Sequence, residues 1–133
     1  MRIKRLAPIA GLVFTLAMVL GSTVPATAAL SDCGQSGKFC GWLDSGYGTK
    51  IYTLSGNAGV TKYLDSNDRD KTSSVRNRTN NYWCGVNQHI GADETVAEFQ
   101  PGAQISYVGD FANDKIDHYD IKANSGNCYN PTF

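Results

Sequence analysis

The sequence predicts an all-β sandwich with Greek-key connections, and three observations support this prediction. Short runs with the alternation typical of strands recur along the chain, and turns rich in Gly, Asn and Asp separate them. No apolar stripe at helical spacing extends beyond Ala28. The chain also contains an internal repeat, so the sandwich is expected to consist of two similar units.

The segment from Met1 to Ala28 is predicted to be a cleaved secretory signal peptide. Basic residues near the start precede an apolar stretch over residues 11–20, and the segment ends at the A-x-A cleavage signal Ala26-Thr-Ala28. The alternative is a membrane anchor, but Gly21 and Pro25 would interrupt a spanning helix. We therefore expect residues 29–133 to form one extracellular domain without a membrane attachment.

Composition and charge restrict the classes of partner. The chain has 12 basic and 12 acidic residues, and without the three basic residues of the predicted signal the net charge is 9 − 12 = −3. An acidic domain does not favour nucleic acid, and Asp68 and Asp70 are interleaved with its one basic cluster, which consists of Arg69, Lys71, Arg76 and Arg78. With 41% hydrophobic and 18% charged residues, the composition excludes disorder. A monomer is expected.

Four cysteines in the exported part predict two disulfides. An even number in a small secreted domain is typical of a disulfide framework, whereas no C-x-x-C or H-E-x-x-H pattern indicates zinc. Three pairings are possible in principle. The turn residues Gly34-Gln-Ser-Gly37 between the first two cysteines favour pairing Cys33 with Cys40, which leaves Cys84 with Cys128.

The repeat has an offset of 44 positions. Phe39-Cys-Gly-Trp42 recurs as Trp83-Cys-Gly-Val86, where 84 − 40 = 44, and Asp70-Lys71 recurs as Asp114-Lys115 at the same offset. Two separate matches in one register are harder to obtain by chance than either alone. We predict two units, at about residues 33–76 and 77–121, followed by a C-terminal tail.

Six strands are predicted from local patterning. They are Lys50–Leu54, Ser74–Asn77, Tyr82–Val86, Val96–Phe99, Ile105–Val108 and His118–Ile121. Turn residues such as Pro101-Gly102 stand between them.

Several runs resemble a known family of secreted proteins. They are residues 36–44, 70–77, 82–84, 100–104 and 113–116. Together they resemble the βγ-crystallin-like secreted proteins of actinobacteria classed as peptidase inhibitor family I36. The most specific pieces are the Asp-Lys-x-Ser-Ser and Pro-Gly-Ala-Gln runs. The resemblance covers nearly all of the exported part and implies a βγ-crystallin-like sandwich of two Greek-key motifs.

The resemblance also implies a function. It points to a secreted inhibitor of extracellular peptidases, with metallopeptidases as the expected targets and a secreted peptidase as the partner. The sequence contains no nucleophile elbow, metal motif or phosphate-binding loop, so an enzyme is not expected. Two alternatives remain open, a calcium-binding or structural βγ-crystallin-like module and a killer-toxin-like secreted protein.

The resemblance suggests where a peptidase would be contacted. The family's cysteine-anchored segment ahead of Pro-Gly-Ala-Gln corresponds to Cys84, Gly85 and Val86, which precede Pro101-Gly-Ala-Gln104. A disulfide at Cys84 would hold that backbone extended. The alternative is an ordinary core strand, in which case the loops at residues 46–49 and 89–94 become the next candidates.

Calcium binding is expected to be weak or absent. Crystallin-like sites use the pattern [N/D]-[N/D]-x-x-[S/T]-S, and both copies here depart from it, at residues 69–74 and 113–118. The candidate ligands are Asp70, Ser73, Asn113, Asp114 and Asp117. The alternative is that these side chains only brace turns through hydrogen bonds. No cofactor is expected to be required.

Overall fold

A computed structural model of the chain describes residues 30–126 and 128 and contains eight strands. They are β1 (Phe39–Trp42), β2 (Lys50–Leu54), β3 (Thr61–Tyr63), β4 (Ser74–Asn77), β5 (Tyr82–Asn87), β6 (Glu94–Phe99), β7 (Gln104–Ile105) and β8 (His118–Lys122). Within these residues no helix has the length and apolar character needed to cross a membrane. The predicted signal peptide lies outside the described residues.

The strands form two antiparallel sheets that exchange one strand each. The first sheet has the order β2-β1-β4-β7 and the second has the order β3-β8-β5-β6. If β1 to β4 and β5 to β8 are taken as two motifs, the third strand of each motif pairs in the sheet of the other motif. The all-β sandwich of two Greek-key motifs is thereby confirmed. The limits at residues 29, 33, 76, 77 and 121 stay predictions.

Aromatic side chains from both sheets meet in the centre of the core. The Phe39 ring stacks on the Trp83 ring with 4.4 Å between centroids and an interplanar angle of 7°. Tyr119 packs against both rings. Phe39 and Trp83 are 44 positions apart, so equivalent residues of the repeat pack face to face between the two sheets.

The glycine of the cysteine-glycine pair in each motif lies at a closely packed position of its strand. A Cβ atom at Gly41 would lie 2.1 Å from Cζ of Tyr52, and one at Gly85 would lie 3.0 Å from Cδ1 of Ile116. In both strands the register shifts directly after the glycine. The Tyr52 ring leaves room only for glycine at position 41, whereas a Cβ at position 85 would require the end of the Ile116 side chain to shift by a few tenths of an ångström.

The two disulfides tie the terminal segments to equivalent strands. Cys33 pairs with Cys40 of β1, and Cys84 of β5 pairs with Cys128, as the sequence predicts. Cys33 and Cys40 form a second buried cluster with Trp42 and Tyr47, apart from the main core. The first disulfide therefore fastens the N-terminal part of the described chain to the first sheet, and the second disulfide fastens Cys128 to the second sheet.

Local patterning identifies five of the eight strands. β1 and β3 were not predicted, and the predicted strand Ile105–Val108 overlaps β7 only at Ile105. β1 was missed because it has only four residues and one of them, Gly41, is of a type depleted in strands, although the repeat aligns it with the predicted strand around Cys84. β3 has only three residues and belongs to the sheet of the other motif, so its own motif gives no pairing signal.

Two connections cross from one sheet to the other at the same end of the sandwich. The loops at this end form a cluster, which we call the loop end. Trp42 pairs with Lys50 and Ser74, and His118 pairs with Val86 and Tyr63, so these positions are level within their sheets. The connections from β3 to β4 and from β7 to β8 join the two sheets at that level. The loop end comprises residues 43–49, 63–73, 88–94 and 106–117.

Candidate functional site

The segment predicted to contact a peptidase is buried in the middle of a sheet. Cys84, Gly85 and Val86 lie in β5, whose two edges pair with β6 and β8. Cys84 is 1% exposed and Val86 is 4% exposed. Neither the backbone nor the side chains of this segment face a partner in the folded protein. This position agrees with the alternative interpretation of the segment as an ordinary core strand, because β5 has a neighbouring strand on each side in the second sheet.

The loop at residues 46–49, the next candidate for a peptidase contact, packs partly against the rest of the protein. Tyr47 is only 7% exposed and meets Trp42 edge-on, with 5.3 Å between ring centroids. The backbone N–H of Tyr47 donates to Oγ of Ser74 at 3.2 Å, and that of Gly46 donates to the carbonyl of Ser106 at 2.7 Å. These contacts turn Tyr47 inward, whereas Gly46, Gly48 and Thr49 around it are exposed.

The loop from β5 to β6, the other candidate for a peptidase contact, projects from the sandwich into solvent. Residues 88–93 are all exposed, and Ile90 is fully exposed. Gly91 follows with a φ of 108°, a left-handed conformation that favours glycine. An isoleucine held in water at the tip of a loop leaves its apolar surface available for burial against a partner.

The base of this loop is held by three side-chain contacts. The backbone N–H of Gln88 donates to Oδ2 of Asp117 at 2.8 Å. Nε2 of His89 lies 3.5 Å from Oε2 of Glu94, and Nε2 of His118 lies 3.9 Å from Oδ2 of Asp93. Sequence analysis predicted neither pair, and His118 with Asp93 could not be predicted because the two residues are distant in the chain and only the sheet register brings them together.

A further contact connects the loop to the second disulfide. Oγ1 of Thr95, the second residue of β6, donates to the carbonyl of Cys128 at 2.7 Å. Cys128 is bonded to Cys84 in the neighbouring strand β5. The strands on both sides of the loop are therefore fastened to one point of the C-terminal tail.

The candidate calcium ligands come from two segments that the fold places side by side. Asp70 and Asp114 are equivalent in the repeat and have left-handed backbones, with φ angles of 53° and 54°. The N–H of Asp70 donates to the carbonyl of Ile116 at 3.1 Å, and that of Asp114 donates to the carbonyl of Thr72 at 3.5 Å. The two segments thus brace each other across the loop end.

Several of these side chains already have protein partners. Oδ2 of Asp117 accepts the Gln88 N–H, and Oδ2 of Asp114 accepts from Nδ2 of Asn113 at 2.8 Å. Ser73 is 8% exposed. Burial and the neighbouring Asp117 carboxylate raise the pKa of Asp70. In the part of the chain that the structure describes, no three His, Cys, Asp or Glu side chains are grouped so as to hold a metal ion.

Comparisons with known proteins identify one family and one type of solved domain. The family model for peptidase inhibitor family I36 matches residues 26–90. A βγ-crystallin domain from Clostridium beijerinckii is similar to the chain at 16% identity and a TM-score of 0.49, covering 65% of this chain and 99% of that domain. A double mutant of that domain is 20% identical with a TM-score of 0.43, covering 65% and 98%. None of the curated proteins compared matches the chain.

Proposed function

We propose that this chain is a secreted inhibitor of extracellular peptidases, with metallopeptidases as its targets, because residues 26–90 match the model of peptidase inhibitor family I36. The family match carries the proposal, since that family consists of peptidase inhibitors. The same match and the all-β fold indicate a protein that is not an enzyme. Its partner is accordingly a peptidase.

Secretion is supported by two features of the chain. The segment from Met1 to Ala28 has the pattern of a signal peptide. The described residues contain two disulfides, which persist in oxidising compartments and are rare in the cytosol. An exported protein of this kind meets peptidases outside the cell.

The inhibitory contact of this proposal is the loop at residues 88–93, with Ile90 at its tip. A loop whose base is fastened loses little conformational entropy when it binds. The hydrogen bond from Gln88, the pairs at His89 and His118 and the Thr95 contact with Cys128 supply that fastening. The exposed Ile90 side chain suits the apolar specificity pocket of a peptidase.

The proposal is tested by titrating the purified exported protein against a panel of secreted peptidases that contains metallo, serine and cysteine types. We expect stoichiometric inhibition of at least one metallopeptidase and no hydrolysis of peptide substrates by the protein itself. Inhibition confined to serine or cysteine peptidases would contradict the target class. No inhibition of any peptidase would favour the structural-module or toxin alternatives.

The contact is tested with the variant Ile90→Asp and the matched control Val60→Asp. Val60 is also an exposed aliphatic residue, at 41%, but it lies at the opposite end of the sandwich. We expect Ile90→Asp to weaken the inhibition constant at least about tenfold, because it removes a buried apolar contact of about 1.5–3 kcal/mol. Equal effects of the two variants would place the contact elsewhere.

We also propose that inhibition requires no cofactor and that calcium binds weakly or not at all. The occupied carboxylates of Asp114 and Asp117 support this. Isothermal calorimetry with calcium chloride should give no site with a dissociation constant below about micromolar, a value within the range of calcium sensors. Inhibition of a metallopeptidase should be unchanged when the inhibitor alone is treated with a chelator and dialysed before the two proteins are mixed.

A further inference from the structure

The loop end collects nearly all the exposed apolar side chains of the described residues. Six large hydrophobic side chains are exposed in that part of the chain, and five of them lie at the loop end. They are Leu43, Tyr63, Ile90, Tyr107 and Phe111. The sixth, Val60, lies at the opposite end, where its carbonyl accepts from Ile121 near the end of β8. Exposed apolar residues concentrated in one region mark an interaction surface.

The same end carries most of the negative charge. Of the 12 acidic residues, nine lie within residues 43–49, 63–73, 88–94 and 106–117, with only three cations, which gives 3 − 9 = −6. The rest of residues 30–126 has six cations and three acidic residues, which gives 6 − 3 = +3. The domain therefore has a strong charge asymmetry along the strand direction.

Lysine and arginine do little to neutralise this charge. The ion pairs that the structure shows at the loop end involve His89 and His118 rather than lysine or arginine. The pair of Lys122 with Asp120 lies outside the loop end. Eight of the nine acidic residues are exposed or half-buried, and only Asp117 is buried. The field of these carboxylates therefore extends into solvent.

We propose that the loop end is the whole docking surface and that it selects peptidases whose active-site cleft is apolar and rimmed by cationic side chains. This inference rests on the proposed function and names the kind of peptidase that is inhibited. Complementary charge steers the two proteins together and raises the association rate, whereas the apolar side chains act after contact. Ile90 enters the cleft, and the other four exposed apolar side chains belong to the same loop end.

The charge distribution also argues against a second copy of the chain as the occupant. Two loop ends facing each other would bring together two surfaces of net charge −6. Like charges at an interface cost free energy and slow association. A cationic partner is therefore favoured over self-association through this face.

The test measures association and dissociation rates with two peptidases that the wild-type protein inhibits, one with a cationic and one with an anionic cleft rim. With the cationic rim, we expect association to slow about tenfold between about 0.02 M and 0.5 M salt, because the screening length shortens. With the anionic rim, we expect slower association at low salt. A lack of salt dependence with the cationic rim would overturn the inference.

A matched pair of double variants locates the effect. Asp65→Asn with Asp68→Asn removes two charges from the loop end, and Asp32→Asn with Asp120→Asn removes two charges from the rest of the domain. We expect the first pair to slow association about threefold to tenfold with little change in dissociation, and the second pair to leave it unchanged. Equal slowing by both pairs would show a net-charge effect and overturn the inference.

The two hypotheses fail in different ways. If wild-type protein inhibits no peptidase, the proposed function fails and this inference fails with it. If wild-type protein inhibits but the Asp65 and Asp68 variant associates at the wild-type rate, only the inference fails. A concentration-dependent dimer in sedimentation that Ile90→Asp abolishes would also overturn it, since the surface would then belong to a second copy.

Discussion

At the scale of single residues, burial separates side chains that the sequence presents as similar. Val86 and Ile90 are aliphatic residues four positions apart. Val86 is 4% exposed in a central strand, whereas Ile90 is fully exposed at the tip of the next loop. The family resemblance pointed to Val86, and the sheet places it where only the core can contact it.

The variant Val86→Asp tests this assignment. A carboxylate at this position would lose its hydration among core residues, so we expect the free energy of unfolding to fall by about 3 kcal/mol or more. Urea denaturation followed by tryptophan fluorescence measures the loss. Any loss of inhibition should match the unfolded fraction. A variant of wild-type stability that no longer inhibits would contradict the assignment and restore Val86 as a contact residue.

Asp70 provides a prediction about pH. Burial and the Asp117 carboxylate raise its pKa, so the folded protein binds this proton more readily than the unfolded chain does, and the ionised form opposes folding at neutral pH. Asp70→Asn should therefore stabilise the protein at pH 7, by less than about 1 kcal/mol because the site is partly screened by solvent. Asparagine also tolerates the positive φ of 53°.

The gain should disappear in acid, where Asp70 is protonated in both the folded and the unfolded states. Thermal unfolding at pH 7 and at about pH 3 measures the difference between variant and wild type at each pH. Asp114→Asn, at the equivalent φ of 54°, removes a carboxylate that contributes less to the raised pKa of Asp70, so its gain at pH 7 should be smaller. A stabilisation by Asp70→Asn that persists unchanged at low pH would show that the carboxyl charge is not its cause.

At the scale of elements, two equivalent hairpins have loops of opposite character. The β1 to β2 loop turns inward because Tyr47 packs on Trp42. The β5 to β6 loop has an isoleucine and a glycine near its tip and stays in solvent. The repeat predicts equivalent strands, but it does not predict which loop remains free, since Tyr47 lies outside the matched residues and Val86 takes the place of Trp42 in the second motif.

The second disulfide supports the free loop, and its removal should cost more stability than removal of the first. In the chain-entropy model, the closed loops from Cys84 to Cys128 and from Cys33 to Cys40 contribute about 4 and about 2.5 kcal/mol. We expect the double variant Cys84→Ser, Cys128→Ser to lose the larger amount in urea denaturation and to inhibit more weakly while still folded, because Thr95 loses its fixed partner. A larger loss from the Cys33 and Cys40 double variant would contradict this prediction.

At the scale of the whole molecule, strand exchange makes the two motifs interdependent. β3 of the first motif pairs with β8, and β7 of the second motif pairs with β4. The main core takes Phe39, Tyr52, Leu64 and Val75 from the first motif and the other seven members from the second. Neither motif can bury its apolar face alone.

The fragment spanning residues 30–81 should therefore be unfolded, although it contains a complete repeat and its own disulfide. Without β8 the edge of β3 has no partner, and without Trp83 the Phe39 ring lies in water. Proton NMR should show the narrow amide dispersion of a disordered chain, whereas residues 30–133 should show the wide dispersion of a β protein. A folded first fragment would mean that the motifs are independent.

Local pattern and repetition determined most of the architecture from the sequence alone. Alternation located β2, β4, β5, β6 and β8, the turn between Cys33 and Cys40 indicated the disulfide pairing, and the offset of 44 positions indicated two motifs. These features depend on residues near each other in the chain or on exact recurrence, so their physical cause can be recognised without coordinates.

Only the tertiary structure decided where a partner can bind. Burial of Val86, exposure of Ile90 and the meeting of Asp93 with His118 all depend on the pairing of β5 with β6 and β8. The charge asymmetry is likewise invisible in the sequence, because the nine carboxylates of the loop end come from four separate segments. Two sheet crossings at one end bring those segments together, and that convergence is a long-range consequence of strand register.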